Sequence, residues 1–326
     1  MSVNTSSERI LVVRNPASSH ADQVEHDVMD CLYDNFTASR IQEFWTPSSD
    51  YEVTTAEIAA AIQPGDSIIV AAGDGTGNAT ANAYLQANAE GTRLGFLPYG
   101  NFNDMAATFT DKAARKNPAL LLGPTAKQVE VHPLNVIKNG EHYRFALLYA
   151  TLGWTAVAAK IFDDPLARQA LQSGKATLPA SLLNIAQMYF RTRSNAYLPP
   201  FRREGSIAVH EDVTDVLAIN GPTMARIIKS QKHFYAGGDF LSCDLDVSKL
   251  YRNIEFLGRS GLNFALGTIL SLPGTTVEAD ELLFDGATVP VQLDGECSVL
   301  ENTQSIRITK QTTSDARTIT VLKTTK

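Results

Sequence analysis

The chain has 326 residues, 44% of them hydrophobic and 19% charged, which allows two domains with sizeable cores and argues against a disordered protein. Its net charge of −7 makes nucleic acid a poor partner, without forbidding phosphate chemistry, because local donors hold phosphates and net charge does not. Three distant cysteines, Cys31, Cys243 and Cys297, form no CxxC pair, which fits free thiols in a reducing cytosol and argues against a structural zinc.

Residues 1–9 are polar and lack the apolar run of a signal peptide. Ile10 to Val13 reads as a short buried strand that ends at the Asn15-Pro16 turn, followed by a helix from Ala21 to Asn35. Ile41 to Trp45 is a second strand. Ser49 or Asp50 caps a helix running to Ile62, with Glu52 in its first turn. Pro64-Gly65-Asp66 turns the chain into a third strand, Ser67 to Ala71, which Gly73-Asp74-Gly75-Thr76 ends. A helix is expected over Asn78 to Asn88, a fourth strand over Leu94 to Leu97, and another helix from Met105. Short apolar strands alternating with helices predict a parallel sheet whose ligands sit at the loops after the strands.

Beyond Gly123 the pattern changes to short strands: Gln128 to Ile137, His142 to Tyr149, Ser206 to Val209, Val213 to Ile219, Val289 to Leu293, Cys297 to Leu300, Ser305 to Thr309 and Thr318 to Leu322. A helical segment over about Pro165 to Arg191 interrupts them. The longest apolar stretch, Phe145 to Ala159, is too short for a membrane span and is broken by Thr151 and Gly153. The expected architecture is an α/β domain over 1–125 and a β-sandwich with a helical insertion over 126–304, with 305–326 free to pack back on the first domain.

Three segments carry chemistry. Ala71 to Asn78 joins a strand to a helix; its glycines let backbone N–H groups approach an anion, Thr76 adds a hydroxyl, and Asp74 adds a carboxylate suited to magnesium or a proton rather than to phosphate. A plain Gly-Asp-Gly turn is the competing reading. A dinucleotide fingerprint is disfavoured, because Asn78 stands at the third glycine position and the string follows the third strand. Leu97 to Ala106 places Asn103 and Asp104 at a helix start, where an N-cap is the plain alternative, and both loops would face one cleft at the carboxyl edge of the sheet. Val291 to Cys297 holds Asp294-Gly295, either a hairpin turn or a carboxylate that takes a proton from a substrate hydroxyl.

The strings RNPASSH, AAGDGTGN, LPYGNFNDMA, LGWTA, NGP and LDGE occur in the order seen in the diacylglycerol kinase catalytic family, which includes bacterial lipid kinases and sphingosine and ceramide kinases. The resemblance runs from Ile10 to about Ile308. It implies an N-terminal α/β domain resembling that of NAD kinases, a β-sandwich after it, and a magnesium-dependent transfer of the γ-phosphoryl group of ATP to a lipid alcohol such as diacylglycerol or a sphingoid base. By resemblance, Asn15, Ser18, Gly73, Asp74, Gly75, Thr76, Asn103, Asp104 and Glu296 line the nucleotide region, with Asp74 and Asp104 on magnesium. Asp294 is the general base, with Asp74 as the alternative, since some relatives give the glycine-loop aspartate that role.

The chain also departs from the family pattern. Ala72 replaces the first glycine of Gly-Gly-Asp-Gly-Thr, Ala79 a glutamate, Asn101 the threonine of Gly-Thr-x-Asn-Asp, and Ser19 the glycine of Asn-Pro-x-Ser-Gly. Gly153-Trp154-Thr155-Ala156 lacks an acid common in the family. Ser242-Cys243-Asp244-Leu245-Asp246 stands for Asp-Gly-x-Leu-Asp, which touches any second, structural magnesium site. These departures motivate a catalytically silent nucleotide- or lipid-binding protein as the non-enzyme alternative; an NAD kinase-like phosphotransferase is the enzyme alternative. Lys160 to Arg203 carries seven basic residues against two acids, which reads as a cytoplasmic protein touching anionic membrane at the inner face, or as a helix with a solvated basic face. Oligomeric state is not readable from these patterns; a homodimer is one state compatible with them.

Overall fold

A computed structural model describes residues 8–47, 50–161, 198–224, 228–229, 234–245, 274–310 and 317–324. The helical segment expected over Pro165 to Arg191 and most of the basic run lie outside these residues, as does Asp246. The chain divides into two compact units, residues 1–131 with 317–326, and residues 132–316.

The first unit is built on a six-stranded sheet. Its first four strands in sequence, β1 (Ile10–Arg14), β2 (Ile41–Trp45), β3 (Ser67–Ala72) and β4 (Arg93–Pro98), run parallel in the order β2-β1-β3-β4. Every residue of β1 and β3 is buried, as expected for strands covered on both faces, which is why the stretches 10–13 and 68–72 are unbroken apolar runs. Beyond β4 comes the chain's last strand, Ile319–Lys323, parallel to β4 through Val321 and Leu94 and antiparallel to β5 (Lys127–Val131). Residues 21–35 form one helical run with a π-helical stretch over Glu25–Asp30; it packs Val24, Val28, Met29 and Leu32 onto Ile10, Val12 and Ile69. Of the two expected caps for the next helix, Tyr51–Ala61, Asp50 does the work: its side chain accepts the Val53 N–H at 3.0 Å.

Two expected boundaries differ. The helix after β3 begins at Asp74, four residues earlier than Asn78, because the extended Gly73 caps it and residues 74–77 already have helical bonding. The strand expected over Gln128 to Ile137 is two strands, Lys127–Val131 and Leu134–Lys138. Pro133 has no N–H to give a ladder, and the chain passes from the first unit to the second there.

Among the described residues, the second unit is built on a curled antiparallel sheet of ten strands, with a separate pair of short strands, Thr223–Met224 and Ile228–Lys229, and a helix, Trp154–Ile161. Its spine is a hairpin of two 15-residue strands, Ala279–Leu293 and Glu296–Lys310. The expected shorter strands at 289–293, 297–300 and 305–309 are pieces of this hairpin. Bulges around Ala287, with Gly286 at φ +61°, bend the first of these strands. It can therefore pair Leu282 and Leu283 with 202–203 at one end, and Val291 to Leu293 with the strand Tyr149–Gly153 at the other. One core, including Leu134, Leu152, Phe201, Val216, Phe240, Val291 and Ile306, fills the curl.

Candidate active site

In an open parallel sheet, ligands bind where strand order reverses, outside the carboxyl ends of the strands. Here the chain steps from β1 outward to β2, then back across β1 to β3, so the reversal lies between β1 and β3. Asn15 follows β1 and Thr76 follows β3; the Asn15 amide donates to the Thr76 hydroxyl at 2.8 Å across this gap. The other end of the Asn15 amide accepts the Ala17 N–H at 2.8 Å, and the Ser18 N–H donates to the Asn15 carbonyl at 3.0 Å, so a tight turn presents both residues.

The loops after β3 and β4 are locked together. A Cβ on Gly73 would lie 3.2 Å from the Gly100 Cα, and one on Gly100 would overlap the Gly73 Cα; the backbones touch because both residues are glycine. A Cβ on Gly77 would lie 2.7 Å from the Met105 sulfur, so this glycine admits Met105. Asn103 adopts a left-handed conformation, φ +56°, and brackets Gly100: its amide nitrogen donates to the Gly100 carbonyl at 2.6 Å, and its amide oxygen accepts the Gly100 N–H at 2.7 Å. Asn103 is therefore the residue before the helix Asp104–Phe109, as expected, but Asp74 caps that helix from the neighbouring loop. The Asp74 carboxylate accepts the N–H groups of Asp104 at 3.0 Å and Met105 at 3.1 Å.

The structure thus brings together Asn15, Ser18, Gly73, Asp74, Gly75, Thr76, Asn103 and Asp104 in the first unit. The helix Asp74–Ala87 starts there, and the first-turn N–H groups of an α-helix have no intrahelical partner. Asp104 is almost fully buried and Asp74 is half-buried. Among the described residues no group of three or more His, Cys, Asp or Glu side chains could hold a metal by itself. Backbone donors, an amide, a hydroxyl and two carboxylates at adjoining helix starts nevertheless fit a nucleotide with magnesium, since that ion commonly takes one or two carboxylates and completes its shell with phosphates and water.

Asp294 and Glu296 belong to the second unit. Asp294-Gly295 is the two-residue loop of the long hairpin, with φ +48° and +94°, the signature of a type I′ turn. The hairpin reading and the functional one therefore coexist. Asp294 is 1% exposed, and its carboxylate accepts the N–H groups of Leu147 at 2.5 Å, Leu148 at 2.8 Å and Tyr149 at 3.0 Å.

Residues 9–134 match the diacylglycerol kinase catalytic domain. The match covers less than half of the chain. No curated protein sequence matches the chain. Two solved structures from Bacillus anthracis str. Sterne, named as candidate diacylglycerol kinases, are 18% identical, with TM-scores of 0.62 and 0.63. A third, named as a diacylglycerol kinase of the same organism, is 15% identical with a TM-score of 0.56. Each match covers 97% of this chain and 97% of the other, and at these identities shows the fold.

Against the diacylglycerol kinase pattern, four departures lie among partners that the sequence did not reveal. Ser19 donates to Asn101 at 2.5 Å, so the residues that replace a glycine and a threonine bind each other and tie the β1 loop to the β4 loop. Thr155, at the place of the missing acid, donates from both its N–H (2.5 Å) and its hydroxyl (2.7 Å) to Asp215, a fully buried carboxyl on the neighbouring strand. Burial raises Asp215 to about 7, against the pull of the Thr155 and Thr214 donors. Asp244 of the altered late string pairs with both terminal nitrogens of Arg203 at 2.6 and 2.8 Å, and Arg203 also bonds Asp280 at 2.9 Å. A cavity of about 680 Å³ lies there, lined by Arg203, Ser242, Asp244, Asp280 and Glu281. Among the described residues its acids outnumber its one guanidinium, which does not favour a phosphate there. The sequence did not mark Asp215, and it marked Arg203 only as part of the basic run; the departures at Thr155, Ser242 and Cys243 pointed to their neighbourhoods.

Proposed function

We propose that the protein is an ATP- and magnesium-dependent lipid kinase that transfers the γ-phosphoryl group to the hydroxyl of a lipid such as diacylglycerol or a sphingoid base. The observation that carries this reading is the meeting of the three loops after β1, β3 and β4 at the strand-order reversal, inside the segment that matches the kinase family. Phosphoryl transfer asks mainly for positioning and charge neutralisation, and these loops offer both.

In this reading Asn15, Ser18, Gly73, Gly75, Thr76 and Asn103 shape the nucleotide site, and Asp74 and Asp104 hold magnesium. Bound magnesium supplies charge neutralisation on the transferring phosphoryl group. Asp74 also keeps the β4 loop in place through its two N–H bonds. Asp294 takes the proton from the lipid hydroxyl, with Glu296 beside it and Asp74 as the alternative base. Three N–H donors fix the direction of the Asp294 carboxylate, which suits a base that must meet a hydroxyl at about 3 Å. The described residues contain no helix long and apolar enough to cross a membrane. We infer peripheral contact with anionic lipid at a cytoplasmic face through the basic segment 160–203; Arg203 contributes little, since two carboxylates already neutralise it.

Incubation with γ-labelled ATP, magnesium and a mixed lipid extract tests the reading. Label is expected on a lipid, and Asp74→Ala or Asp294→Ala is expected to lower transfer by at least ~100-fold, the scale of losing a charge-stabilising or proton-transferring group. Label on NAD alone, or tight ATP binding with no phosphorylated product, overturns it.

A further inference from the structure

The Asn220-Gly221-Pro222 string lies outside the nucleotide loops, and its surroundings give it a role. Asn220 is fully buried at the end of the strand Asp215–Ile219, and it bonds the turn formed by residues 147–149. The Asn220 N–H and the Gly221 N–H both donate to the Leu148 carbonyl at 2.7 Å. The Asn220 side-chain amide donates to the Leu147 carbonyl at 2.6 Å and to the His132 carbonyl at 3.0 Å. Gly221 permits this approach: a Cβ there would lie 2.7 Å from Leu148 Cδ2 and 2.9 Å from its Cβ. Asn220 and Gly221 thus take the carbonyl groups of the turn whose N–H groups hold Asp294. The Asp294 N–H closes the arrangement by donating to the Tyr149 carbonyl at 3.1 Å.

We propose that Asn220 is a positioning residue for Asp294. It fixes the carbonyl side of the 147–149 turn, so the N–H side points its three donors at one carboxylate and holds that carboxylate in one direction. The side-chain oxygen of Asn220 is buried without a hydrogen-bond partner, so nothing but its donor side accounts for an amide here. A carboxylate in its place would face two carbonyl oxygens and could donate only when protonated. Its catalytic consequence rests on the reading of Asp294 as the proton acceptor.

The test uses the full chain with Asn220→Ala and the isosteric Asn220→Asp. Amide hydrogen exchange across residues 145–150 is expected to rise at least tenfold in Asn220→Ala, and likewise in Asp294→Asn. In the labelled-lipid assay, corrected for folded protein by ATP binding, Asn220→Ala is expected to lose at least tenfold in kcat with the KM for ATP unchanged. Asn220→Asp is expected to recover relative turnover as pH falls, because its protonated carboxyl regains a donor. A residue that serves stability alone would change neither kcat per folded molecule nor the pH profile. Unchanged exchange at 145–150, or Asn220→Ala turnover within twofold of wild type, overturns the proposal. Asp294→Ala separates the two claims: if it keeps full activity the reading of Asp294 fails, whereas if it is inactive while Asn220→Ala is normal, only the positioning role fails. The exchange experiment decides the coupling even if the extract yields no product.

Discussion

Ser19 and Asn101 each depart from the usual residue of the kinase family, and they depart as a bonded pair. A double-mutant cycle should show it. Ser19→Ala and Asn101→Ala should each cost about 1 kcal/mol of stability, and the double variant little more than either, since the second deletion removes a bond already lost. Strict additivity in chemical denaturation would mean that the two side chains act separately. Thr155 and Asp215 make a second such pair, with a pH signature. The folded chain keeps the Asp215 proton up to about 7, whereas the ordinary value is 3.8. Within that window the native state binds more protons than the unfolded one, so this group's contribution to stability falls as pH rises from about 4 to 7. Holding the Asp215 carboxyl that far above its ordinary value costs on the order of 4 kcal/mol at neutral pH. Asp215→Asn keeps an acceptor for the Thr155 donors and removes the charge. Melting curves between pH 4 and 8 should therefore be flatter for this variant than for wild type; an unchanged pH dependence would show that Asp215 is not the group responsible.

Between elements, contact distance decides more than residue polarity. The helix starting at Asp74 and the one starting at Asp104 can sit side by side because Gly73 and Gly100 touch through their backbones. Gly100→Ala forces that contact apart; a loss of about 1–3 kcal/mol, the usual scale for overpacking, is expected, together with weaker nucleotide binding. Calorimetry and ATP titration of the same variant check both, and Gly140→Ala is no control, since that residue needs its left-handed φ of +84°. In the second unit Arg203 links the strands carrying Asp244 and Asp280, and Ser242 donates to Asp280 at 2.6 Å. Both carboxylates sit beside the guanidinium, which holds its proton more firmly than an ordinary arginine, through Asp244 first and Asp280 second. Arg203→Gln leaves them facing each other with one neutral amide. A clear drop in thermal stability, recovered in part by adding Asp244→Asn, is the expected outcome; equal melting temperatures for Arg203→Gln and wild type would contradict it.

At the scale of the molecule, the first unit needs both ends of the chain. The last strand, Ile319–Lys323, fills the place between β4 and β5, buried at Ile319, Val321 and Leu322. Removing residues 317–326 opens two unpaired strand edges inside one sheet, a template for aggregation. The truncated chain should be poorly soluble, and residues 1–131 alone should not form a stable unit. Soluble, cooperatively melting protein from either truncation would contradict the topology. The same arrangement delays completion of the six-stranded sheet until residues 319–323 are made, although β1 to β4 can pair first.

Sequence by itself determined the parallel strands, since β1 and β3 are covered on both faces and are written as apolar runs over 10–13 and 68–72. It also carried the resemblance to the kinase family over residues 9–134, because glycines that let backbones touch are local requirements with few chemical solutions. What it left open was decided by partners distant along the chain. Asp74 caps a helix 30 residues on, Asp294 binds a turn about 145 residues before it, and the last strand pairs across more than 200 residues. Those bonds depend on which loops the folded sheets bring within 3 Å, and neither periodicity nor local composition carries that information. Only the tertiary structure could show that Ser19 answers Asn101, or that Asn220 and Asp294 hold two sides of one turn.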